Sequence, residues 1–174
     1  TREEDFVKQI FTASTHDTIL FFSNKGKLYK LRGFEIPEAG RTARGTAIVN
    51  LLNLDAGEKV SAVIPIQNFA EGKYLLMATK NGLIKKTALT EYNSARRTGL
   101  QGITLKEDDE LITVRLTDGE DNVVLVTREG MCITFDEKEV RPIGRVSQGV
   151  IGIRLDEGDE VIGMESVIAG GKGA

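Results

Sequence analysis

The chain has 174 residues, 40% hydrophobic and 28% charged, and its 23 basic and 26 acidic side chains leave a net charge of -3. That hydrophobic content argues against a disordered chain, and no apolar run approaches the roughly 20 residues of a membrane helix. Cys132, the single cysteine, excludes an internal disulfide and leaves a cysteine-based zinc site short of ligands, so it is predicted as a small core residue.

In chain order, Thr1-Arg2-Glu3-Glu4-Asp5 is no signal peptide, and a soluble, cytoplasmic protein is expected. Glu4-Asp5-Phe6-Val7 has the pattern of a strand that ends a repeat, which assigns residues 1–13 to the last strand of a preceding unit. His16, beside Asp17, Ser14 and Thr15, resembles a triad only in composition, because neighbours in an extended chain point in different directions. Three repeats follow, at approximately 18–67, 74–119 and 123–167, with a period of roughly 50 residues. Each opens with an apolar strand closed by a Gly-ended turn: Asn24-Lys25-Gly26, Lys80-Asn81-Gly82 and Arg128-Glu129-Gly130. Glycine supplies the positive φ of a hairpin turn, so a return strand is predicted after each.

Behind each hairpin come an acidic and an apolar residue, Glu35-Ile36, Glu91-Tyr92 and Glu139-Val140, the apolar one expected as an anchor. A Gly-rich segment then leads to an acidic group before a last strand, at Glu58-Lys59-Val60, Asp109-Glu110-Leu111 and Asp159-Glu160-Val161. The tail from Val167 to Ala174 stops where another hairpin is expected, so the chain reads as part of a longer array, with Gly170-Gly171-Lys172-Gly173 as a linker. The predicted fold is all-β, a propeller-like array of about three four-stranded antiparallel blades.

Charge is distributed in step with the repeats, so net charge says little about any one face. Arg41, Arg97 and Arg145 each fall fifteen residues beyond a turn glycine, among small or flexible neighbours such as Arg44 with Gly45, Arg96 with Gly99, and Gly144 with Gly149. An arginine fork on a Gly-bearing loop suits a phosphate, and loops repeated on adjacent blades suit a DNA backbone. The alternative is that these arginines pair with Glu35, Glu91 and Glu139 and merely close the blades. Lys27, Lys30, Arg32, Lys85 and Lys86, on the return strands, are weaker candidates, since a solvated strand face accounts for them equally well. No metal site is indicated, because the acidic runs lack the alternating ligand spacing of a calcium loop.

Ser14-Thr15-His16-Asp17, Leu20 to Gly26, Glu35-Ile36-Pro37-Glu38-Ala39, Arg41-Thr42-Ala43-Arg44-Gly45, Ile48 to Leu52, Met77-Ala78-Thr79 and Val140 to Arg145 resemble the C-terminal domain of the DNA gyrase A subunit. The resemblance spans essentially the whole chain. It implies a β-pinwheel whose basic rim wraps duplex DNA in a sequence-tolerant way, guiding it for ATP-dependent negative supercoiling by the holoenzyme. Implied partners are double-stranded DNA, the remainder of the gyrase A subunit, and the gyrase B subunit, with no membrane. Catalytic residues and cofactors are expected outside this chain, where the parent type II topoisomerase uses ATP and Mg. The family's Gln-Arg-Arg-Gly-Gly-Lys-Gly box is absent, and Arg96-Arg97-Thr98-Gly99 keeps only an echo of it. Two other readings stand beside this one: the C-terminal domain of a topoisomerase IV A subunit, where the box is degraded, and a propeller-type protein-interaction scaffold.

Overall fold

A computed structural model describes residues 18–32, 52, 54–93 and 99–168. The predicted opening strand, His16 and the glycine-rich tail lie outside them. Eleven strands are described: β1 (Thr18–Ser23), β2 (Lys27–Arg32), β3 (Val60–Ile66), β4 (Tyr74–Thr79), β5 (Leu83–Ala88), β6 (Leu100–Gln101), β7 (Leu111–Thr117), β8 (Asp121–Thr127), β9 (Cys132–Asp136), β10 (Val150–Ile151) and β11 (Val161–Ile168). They form antiparallel sheets in the orders β3-β1-β2-β6, β10-β5-β4-β7 and β11-β8-β9. The only described helices are 3-10 turns at Leu89–Tyr92 and Glu137–Glu139. Tyr92 and Val140 are buried there, which bears out the anchoring role expected of both; Ile36 lies outside the described residues.

The sheets stack face to face, which explains the strand patterns. Leu20, Phe22 and Leu28 of the first sheet meet Leu75, Met77 and Val114 of the second, and Leu76, Ala78 and Ile84 meet Val123, Leu125 and Met164 of the third. Strand β4, with a sheet on each side, is therefore apolar and buried on both faces, and β1 is too, its second face packing Ile19 and Phe21 with Leu52 and Val63. The third sheet has a neighbour on one face only among the described residues, and β8 alternates buried with half-buried positions. At about 1.5–3 kcal/mol per large apolar side chain, these interlayer clusters are the main stabilising term. Strand β3 packs on β7 and β7 on β11, so these last strands lie together and each sheet's other edge points away.

The turns are built alike. Gly26, Gly82 and Gly130 have φ of 81°, 95° and 92°. The hydroxyls of Ser23, Thr79 and Thr127 accept the N–H four residues on, at 3.3, 3.1 and 3.0 Å. In the second and third repeats the acid before the last strand caps the hairpin tip. Asp109 Oδ1 accepts from the Asn81 and Glu110 N–H groups, and Asp159 Oδ1 from those of Glu129 and Glu160. Burial opposes ionisation of Asp159, but the Thr127 hydroxyl, those two N–H groups and the Arg128 charge outweigh it and hold the carboxyl below its usual range.

The Gly-rich third segment closes the sheet of the preceding repeat, not its own. Strand β6 pairs with β2 and β10 with β5. The Gly26 carbonyl accepts the N–H groups of Gly102 and Ile103 at 2.7 and 3.3 Å, and the Gly82 carbonyl those of Gly152 and Ile153 at 2.8 and 3.2 Å. Gly26 and Gly82 are thus locks between successive repeats. Strand β9 has no such partner among the described residues, which corrects one expectation: Cys132, at the open edge of the third sheet, is exposed.

Candidate nucleic-acid interface

The sheet edges carrying β2, β6, β5 and β10 hold those predicted contacts that the structure describes. Arg41, Arg44, Arg96 and Arg97 lie outside the described residues. Lys27 is half-exposed, and its ammonium sits 2.8 Å from Asp55 Oδ2, a bond that raises its affinity for the proton. Lys30 donates to the Asn93 carbonyl at 3.1 Å and lies 5.4 Å over the Phe69 ring. Arg32, at the end of β2, is exposed.

Lys85 and Lys86 are not on a wet face. Sheets stacked on both sides leave β5 no solvated side, and these lysines are only 0% and 5% exposed. Lys86 Nζ lies 3.6 Å from Glu137 Oε2, itself fully buried, and 4.6 Å over the Tyr74 ring. Lys85 Nζ donates to the carbonyls of Gly102, at 2.5 Å, and Arg145, and lies 3.3 Å from the Tyr92 hydroxyl. Both ammonium groups are turned onto internal acceptors.

Arg145 sits differently. Its loop runs along the edge of β5: the Ile143 N–H donates to the Lys86 carbonyl at 2.8 Å, and β10 resumes pairing at Val150. Thr104 N–H reaches the Ser147 carbonyl at 3.2 Å, and the Arg145 N–H donates to Glu91 Oε1 at 3.0 Å. The recurrent glutamate therefore holds the loop's backbone and not its guanidinium. The guanidinium stays half-exposed and donates to the Gln101 carbonyl. Backbone anchoring with an outward cation is the geometry that presents an arginine to an anion at little further entropic cost.

Arg141, exposed just behind the buried Val140, adds a second cation to this loop. Register comparison passes over it because Pro37 and Asn93 occupy the matching positions. Elsewhere Asp118, Asp121 and Glu137 bring carboxylate oxygens within 4.8 Å of one another. Glu137 is already engaged there by Lys86, the Thr117 hydroxyl and the Asp121 N–H, so the cluster is explained by internal bonds. No helix among the described residues is long and apolar enough to cross a membrane.

Comparison with known proteins gives a consistent result. The family model described as DNA gyrase C-terminal domain, beta-propeller, matches residues 17–67, 73–118 and 121–168. The DNA gyrase A subunit of Clostridium acetobutylicum is 54% identical over 87% of this chain and 18% of its own length. Its Staphylococcus aureus counterpart is 45% identical over 95% of this chain and 19% of its own. The chain thus spans about a fifth of these curated relatives. Among solved structures, the C-terminal domain of DNA topoisomerase IV has a TM-score of 0.80 at 38% identity, covering 88% of this chain and 48% of that one. The DNA gyrase A C-terminal domain has a TM-score of 0.72 at 27% identity, covering 88% and 49%. On the family match and these relatives together, the chain belongs to the DNA gyrase C-terminal domain family.

Proposed function

We propose that the chain binds duplex DNA through its phosphate backbone, without reading base sequence, and bends it. The parent in this reading is a cytoplasmic gyrase A subunit that works with gyrase B, and the wrap guides DNA for ATP-dependent negative supercoiling. The chain itself carries no catalytic role and no cofactor; ATP and Mg act elsewhere in the holoenzyme. The observation that best supports this is Arg145: its loop is bonded through the backbone to the preceding blade while its guanidinium remains half-exposed. Arg41 and Arg97 share its offset from a turn glycine, so the same contact repeated along the array would follow a curved backbone. Bending costs on the order of several kcal/mol and is offset by the added contacts.

The topoisomerase IV reading draws on the structural likeness at 38% identity and predicts the same backbone chemistry. A protein-interaction scaffold predicts something else. The triple change Arg41→Glu, Arg97→Glu, Arg145→Glu is expected to weaken duplex binding about 100-fold and to reduce the salt slope by about 3 in a mobility-shift titration. Unchanged affinity would reject these arginines as contacts.

A further inference from the structure

The position three residues beyond each turn glycine is Tyr29, Lys85 or Ile133. In the first blade it lies against Gly99 of the next repeat, and in the second beneath the Arg145 loop. A Cβ on Gly99, two residues beyond Arg97, would come within 3.0 Å of the Tyr29 ring, and one on Gly149, in the Arg145 loop, within 3.3 Å of Lys85 Cβ. Tyrosine and isoleucine at the equivalent positions mean that the blade does not require a cation there. A buried ammonium is costly unless its donors are matched, and Lys85 meets the Gly102 and Arg145 carbonyls and the Tyr92 hydroxyl. Those carbonyls belong to successive repeats: Gly102 helps close the first sheet, and Arg145 sits in the third repeat's loop.

We propose that Lys85 is a positioning residue for DNA binding: its ammonium, bonded to the Gly102 and Arg145 carbonyls, fixes where the Arg145 guanidinium meets a phosphate, so that grip weakens when the ammonium loses its proton. The inference rests on the DNA-backbone reading above. Burial is the main influence on Lys85; the Glu91 carboxylate favours its charge and the Arg145 guanidinium opposes it, and together they bring its pKa down to about 7. The Tyr92 hydroxyl is pushed up by burial and stays protonated, and β4 contributes only the apolar Met77 opposite Lys85. Proton loss near neutrality removes one donor and one positive charge from under the loop.

Duplex affinity measured from about pH 6 to about pH 8.5 is expected to fall about tenfold for the wild-type chain. Lys85→Met should bind at the weaker level with no pH dependence, and amide exchange of the Arg145 and Ser147 N–H groups, measured without DNA, should accelerate. Lys85→Ile, which copies the third repeat, serves as a second variant if the first does not fold. Wild-type binding with either folded variant giving the same affinity, pH profile and loop exchange overturns the role of Lys85 alone. Absence of wild-type binding at both pH values overturns the DNA reading and this inference with it.

Discussion

Gly82→Ala is expected to destabilise the chain by about 3–5 kcal/mol, whereas Gly130→Ala should cost only about 1–2 kcal/mol. Both glycines have positive φ, 95° and 92°, so the backbone penalty is shared. The difference is the lock. A Cβ on Gly82 would stand 2.5 Å from the Ile153 carbonyl oxygen, and making room disturbs the two N–H groups that Gly152 and Ile153 donate to the Gly82 carbonyl. At Gly130 a Cβ meets nothing within 4 Å. Urea unfolding of the two variants side by side reads the difference, and equal losses would mean that the turn carbonyl does not hold the repeats together.

Glu137→Ala should be similarly damaging, at about 3–5 kcal/mol, because it leaves the buried Lys86 ammonium without its carboxylate. The same carboxylate accepts the Thr117 hydroxyl of β7 and the Asp121 N–H of β8, so removing it also strands a donor in each of two sheets. Lys86→Met combined with Glu137→Leu is expected to recover the share of the loss that comes from the unpaired ammonium, while the Thr117 and Asp121 donors stay unsatisfied. Chemical denaturation of the single and double variants measures the coupling directly. Additive losses would show that Lys86 and Glu137 do not act as a pair.

The hairpins were legible in the sequence because their signals are local: an apolar run, a hydroxyl residue, then a glycine in the one conformation that the turn requires. Glu58, Asp109 and Asp159 mark register by their place just before the last strand, although Asp109 and Asp159 also cap hairpin tips 28 and 30 residues earlier in the chain. What escaped was non-local. Lysines among apolar residues in β5 read as a half-wet strand, but a second sheet covers that face, and internal acceptors satisfy Lys85 and Lys86. Nothing in a short segment such as Leu100–Gln101 says that it joins the previous repeat's sheet, since that pairing depends on the Gly26 carbonyl far away in the chain. Cys132 has an apolar strand's neighbours, and only its place at an unpaired edge exposes it. For the site, the offset of Arg145 was legible, while its anchoring through Glu91 and Lys85 was not.

Whether this family member holds duplex DNA by its phosphates is read most directly from its affinity for a random-sequence duplex across a range of salt concentrations. With at least the three repeated arginines engaged, the logarithm of affinity should fall linearly with the logarithm of salt, with a slope of about -3 or steeper, and should not change with base sequence. A flat salt dependence, or no duplex binding at low salt, would contradict phosphate-backbone binding.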